Sequence, residues 1–131
     1  MNKVKMKALK KSYAVCRLEK EEQIPNWALK GEYLSITKTA DELSIVCAEE
    51  CVPENIKCEK NWRILKVLGP LDFSLIGILS DISTTLANNN ISIFAISTYD
   101  TDYILIKDTD FENGSRSLTQ AGYEIESERN I

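Results

Sequence analysis

The feature that most restricts this chain is a succession of changes in hydrophobic period between residues 62 and 127. Residues 62–68, WRILKVL, are a strand-like run that stops hard at Gly69-Pro70. Between about residues 74 and 89, the apolar side chains Leu75, Ile78, Leu79, Ile82 and Leu86 recur at helical spacing. Asp72 stands where a helix cap is needed, and Asn88, Asn89 and Asn90 accept the left-handed conformation that ends a helix. Residues 91–98, ISIFAIST, predict a second strand, 99–101 a turn, and 102–107 a third strand apolar enough to be central. Residues 110–121 predict a weaker helix with Phe111, Leu118 and Ala121 facing in. Gly122 ends it, and a short last strand covers 123–127. The order is βαββαβ.

The first half repeats part of this order. YLSITKTADELSIV (33–46) aligns with IFAISTYDTDYILI (93–106) at an offset of sixty residues, strand on strand and turn on turn. Residues 12–18 match the first strand. The long helix has no counterpart: EEQIPNWALKG is too short, and Pro25 breaks it. Residues 52–56 read as a stub of the second helix. The expected fold is therefore α+β, with two ferredoxin-like βαββαβ units: an abbreviated one in residues 1–61 and a complete one in 62–131. Helices should pack on one face of a mainly antiparallel sheet. Such a topology carries many functions and fixes none of them.

Composition narrows the functions. The 131 residues carry 16 basic and 20 acidic side chains, a net charge of −4, so no basic surface is available for a phosphate backbone and nucleic acid is not expected as a partner. No apolar run approaches the ~20 residues of a membrane span. The basic start, MNKVKMKALKK, lacks the apolar stretch of a secretory signal, and the reading is cytoplasmic. The chain has no histidine, no phosphate-binding glycine loop and no nucleophile elbow, so no enzyme is expected. Of the four cysteines, Cys16 and Cys47 sit in apolar strand-like runs as small core residues. Cys47, Cys51 and Cys58 lack metal-site spacing, and neither a metal nor a cofactor is expected.

Two connections gather polar chemistry. The first is the loop of residues 69–74 with the helix start that follows, whose unpaired N–H groups attract carboxylates. Gly77 falls in the first turn of that helix, where it weakens it. Either something packs closely on the backbone there or something binds to it. The second is STYDTD (97–102), with Asp100 and Asp102, the hydroxyls of Ser97, Thr98 and Thr101, and the ring of Tyr99. A solvated hairpin turn explains this composition, and so does half of a zwitterion site: the helix start would take a carboxylate and Asp102 an ammonium.

GPLDFSLIGILSDIS, NNNISIFAISTYDTDYILIK and the stretch from YAVCRL to CAEECVP together resemble small stand-alone proteins with tandem ACT domains. These are related to the ACT modules of aspartate kinases and to arginine sensors of the CASTOR type. The resemblance covers residues 12–126 and is most specific at FAISTYDTDYIL. It implies a non-catalytic regulatory module that binds a free amino acid at an interface between ACT units. It also implies a homodimer and a separate enzyme as the regulated partner. Carried over residue by residue, it puts Asp72, Phe73, Ser74, Leu75, Gly77, Ile78, Ser97, Thr98, Tyr99 and Asp102 at the ligand. Leu75 is apolar where a basic ligand wants an acid, which argues against arginine. The alternative is an assembly module of the same fold with no small ligand, in which Tyr99 or Phe73 would fill the pocket.

Overall fold

A computed structural model describes residues 3–68 and 77–128. The strands are β1 (Lys5–Ala8), β2 (Tyr13–Leu18), β3 (Ser35–Lys38), β4 (Leu43–Ala48), β5 (Cys58–Val67), β6 (Ile93–Ser97), β7 (Asp102–Lys107) and β8 (Glu124–Ser127). The α-helices are α1 (Ile78–Ala87) and α2 (Asp108–Gln120). The fold is α+β and mainly antiparallel, as the alternation of periods requires. The chain divides into two units, one of Met1–Lys10 and Arg63–Ile131, the other of Lys11–Trp62.

In the first unit the order β5, α1, β6, β7, α2, β8 reproduces the expected βαββαβ. β7 lies between β6 and β5. The sequence reading missed β1. Its four residues, KMKA, alternate lysine with apolar side chains inside a stretch that otherwise reads only as basic. The strand stands between the first and last strands of the unit, antiparallel to β5 and parallel to β8. Met6 faces Val67 and Ala8 faces Leu65, so the apolar residues of β1 share one face with those of β5. On that face Met6, Ala8, Leu65, Val67, Ile104 and Ile106 are covered by Ile82 and Leu86 of α1 and Leu118 of α2. Period-2 strands thus meet period-3.6 helices on one side, the arrangement that buries both kinds of stripe.

α2 carries a buried glycine, Gly114. A Cβ there would lie 3.2 Å from Ile106 Cδ1 and 3.4 Å from Leu86 Cδ2, so the missing side chain lets the helix approach β7 and α1. Elsewhere the Tyr123 hydroxyl donates to the Asp81 carboxylate, and Lys3 Nζ lies 3.2 Å from it. This joins α1 to the start of β8, and the two contacts hold the Asp81 carboxyl below its usual range.

The second unit keeps the strand order β3-β4-β2-β5, with the first residues of β5 as its last strand. Ala14, Cys16 and Leu18 of β2 and Leu43, Ile45 and Cys47 of β4 make its core, each set two residues apart. A 3-10 turn, Asn26–Leu29, takes the place of the first helix after Pro25 and buries Ala28. The second helix is reduced to one 3-10 turn at Glu49–Cys51, upstream of the expected 52–56. Val52 and Ile56 turn onto the core as loop residues instead. Between β2 and β5 the register shifts by one residue, and Asn61 takes a left-handed φ of 68° at the irregularity.

Candidate functional site

The second of the two connections singled out in the sequence is fixed at the end of β5. Thr101, a buried polar residue, donates its hydroxyl to the carbonyl of Val67 at 2.6 Å. This fixes the β6–β7 hairpin tip beside the point where β5 runs into its loop. On the other side, the Leu68 N–H donates to the Lys5 carbonyl at 2.8 Å, so β1 holds the same point. Asp72, Phe73, Ser74 and Leu75 lie outside the described residues.

Gly77 and Ile78 mark the start of α1. The helix begins at Ile78, four residues after the expected start, and Gly77 is its N-cap with φ 82° and ψ −1°. The glycine is therefore not in the first turn, and its helix propensity is not what matters. A left-handed φ excludes most L side chains, and that conformation is what position 77 requires. A Cβ at Gly77 would meet nothing within 4 Å among the described residues. The Gly77 carbonyl accepts the Asp81 N–H at 2.8 Å. The first-turn N–H groups lack a side-chain acceptor from the cap residue.

At the hairpin tip, the Thr98 N–H donates to the Thr101 carbonyl at 2.8 Å, and the Thr98 hydroxyl lies 3.1 Å from that carbonyl. The rung below the turn pairs Ser97 with Asp102, and the Ser97 hydroxyl donates to Asp102 Oδ1 at 2.5 Å. Asp102 lies two and four residues before Ile104 and Ile106, both in the helix-covered core. Asp102 therefore faces the side of the sheet on which α1 packs. Ser97, directly opposite, faces the same way. The charge of Asp100 instead acts on Tyr103, on the other face of β7, whose hydroxyl is pushed up by burial and by that charge. The two carboxylates have separate surroundings and are not a matched pair. Tyr99 is 83% exposed.

The other unit supplies an internal comparison. Thr39 makes the same turn as Thr98: its N–H donates to the Glu42 carbonyl, and its hydroxyl accepts from the Glu42 N–H. The two hairpins correspond fifty-nine residues apart, Thr39 to Thr98. The sixty-residue alignment is one residue out of step and would exchange the faces of the strands. At the correct register Asp102 takes the place of Leu43, a core residue 1% exposed, and Ser97 that of Lys38. The shared turn is structural. The Ser97–Asp102 rung is a polar addition peculiar to the first unit. Sequence reasoning counted Thr101 among the turn hydroxyls but missed its anchoring role. A Thr at the last turn position before an apolar strand was the only signal.

Comparison with known proteins agrees with this division. The profile of an N-terminal domain matches residues 11–55, and that of the ACT domain matches residues 57–120. A crystallised protein of Agobacterium tumefaciens is 37% identical over 99% of this chain and 97% of its own, with a TM-score of 0.93. The regulatory subunit of aspartate kinase from Thermus flavus superposes with a TM-score of 0.63 at 9% identity, over 92% of this chain and 99% of that one. Aspartate kinase from Clostridium acetobutylicum gives 0.65 at 17% identity, over 93% of this chain and 36% of that one. The last two show likeness of fold. No curated protein matches the chain. With its βαββαβ unit, its hairpin anchored at the end of the first strand of that unit, and the matched profile, the chain carries an ACT domain over residues 57–120.

Proposed function

We propose that this protein is a non-catalytic regulatory module that binds a free amino acid, with the start of α1 and the Ser97–Asp102 rung as the described parts of its site. The observation that carries the reading is the replacement of a core leucine position by Asp102, which faces the side of the sheet on which α1 packs. A carboxylate suits an α-ammonium, and the N–H groups of a helix start suit an α-carboxylate. The fold shared with a regulatory subunit of aspartate kinase supports a regulatory role, with a separate enzyme as the regulated partner. Two copies pairing through sheet edges would complete the site. Among the described residues β6 has a strand neighbour on one side only, which makes it the sheet edge to test for such pairing. Light scattering should then give a mass well above the 14.8 kDa of one chain.

A thermal-shift screen with each standard amino acid tests the reading. A ligand at 100 times its dissociation constant adds about 2.7 kcal/mol of stability, enough to raise the midpoint by several degrees. A flat screen would instead favour the assembly module. In that case the exposed Tyr99 at the hairpin tip becomes a contact for another protein.

A further inference from the structure

The second unit holds a row of thiols that the amino-acid site does not use. Cys47 on β4, Cys16 on β2 and Cys58 on β5 lie across three neighbouring strands and share one apolar core. All the cysteines are free thiols. Cys16 and Cys58 are direct cross-strand partners. The Arg17 N–H donates to the Lys57 carbonyl at 3.0 Å, which makes Arg17 and Lys57 the hydrogen-bonded pair of this ladder. The alternation of an antiparallel ladder then makes Cys16 and Cys58 a non-hydrogen-bonded pair, with Cα atoms ~4.5 Å apart and side chains on the same face. That spacing falls within the range a disulfide spans, about 4.4–6.8 Å. Cys47 stands opposite Ala14, so it is diagonal to Cys16, and diagonal Cβ atoms are too far apart for a bond without backbone movement. Cys51 lies off the row, in a 3-10 turn.

We propose that Cys16 and Cys58 are an oxidisable pair that takes up a low-molecular-weight disulfide such as oxidised glutathione and closes a cross-strand disulfide between β2 and β5. Cys58, partly exposed, is the entry point. Its thiolate attacks one sulfur of the small disulfide and expels a first thiolate, leaving a mixed disulfide on Cys58. Cys16, buried, then loses its proton to water and attacks the Cys58 sulfur, expelling the second thiolate. Two protein thiols have given up two electrons and two protons, and the small disulfide has become two thiols. The Cys16 thiol lies within hydrogen-bonding reach of both Cys47 and Cys58. The Cys47 contact first, and then burial, hold it far above the usual thiol range. The resolving step is therefore the slow one, and it accelerates as pH rises.

The test uses the full native chain with oxidised glutathione, quenching by N-ethylmaleimide, digestion without reduction and mass mapping. The expected result is a peptide joining Cys16 to Cys58, reversed by dithiothreitol, with Cys47 alkylated only after unfolding. Cys58→Ser should form neither the cross-link nor an adduct at Cys16. The proposal is overturned by a lasting glutathione adduct on Cys58 with no cross-link, by a cross-link through Cys47 or Cys51, or by the absence of reaction.

Discussion

Gly77 shows how the reason for a glycine can change between sequence and structure. In the sequence it looks like a weak point inside a helical turn, where alanine would be welcome. In the structure it caps the helix at φ 82° with open space around the missing Cβ among the described residues. The constraint is torsional. Gly77→Ala should destabilise the fold by about 1–2 kcal/mol, the cost of holding a side chain in the left-handed region. Gly77→Asn should cost less, because asparagine tolerates that region. Chemical denaturation of the two variants checks the order. Equal losses would mean that the space, and not the torsion, selects glycine. Asp102 was also visible in the sequence, but only as one of several turn carboxylates. Its distinction comes from register, which places it in the slot that Leu43 fills in the other unit.

At the scale of elements, the helices and strands of residues 62–127 were legible because long periodic runs ended at Gly-Pro, at three asparagines and at Gly122. The asparagine stop is used as expected, with Asn90 at φ 61°, and Gly122 takes φ 105°. β1 was not legible, since four residues give too little alternation to stand out from a lysine-rich start. The start of α1 was not legible either, because Leu75 and Ile78 both fit the helical period and only backbone torsion separates them. The glycine that does permit close packing is Gly114, which the sequence hides in the polar run ENGSRS of α2. Gly114→Val adds branched carbons where a bare Cβ would already sit 3.2 Å from Ile106. Overpacking of this kind costs about 1–3 kcal/mol, more than any gain in helix propensity returns. A lowered denaturation midpoint with an unchanged slope is the expected result. An unchanged midpoint would show that α2 moves away freely.

On the scale of the whole molecule, the division between the two units falls within one strand. β5 begins by pairing with β2 and ends by pairing with β1, so one ten-residue strand serves both units. The unit that carries the candidate site also depends on the N-terminal residues, because β1 fills the gap between β5 and β8. Deleting residues 1–10 removes Met6, which is fully buried, and leaves two strand edges unpaired. Burial of a Met side chain alone is worth about 2–5 kcal/mol, against a total of ~5–15 kcal/mol for a typical domain. The shortened chain should lose its cooperative thermal transition by circular dichroism. A transition within a few degrees of the parent would mean that β1 is dispensable.

The central claim is that an amino acid binds beside the Ser97–Asp102 rung. Amide chemical-shift mapping of the isotope-labelled chain, titrated with each amino acid and repeated with Asp102→Asn, tests it most directly. The account predicts that one ligand shifts the amides of Gly77, Ile78 and residues 97–102. It further predicts at least about tenfold weaker binding in Asp102→Asn, as expected for loss of a charge-assisted hydrogen bond of roughly 1.5–3 kcal/mol. A ligand that shifts amides elsewhere, or binds Asp102→Asn as tightly as the parent, would contradict it.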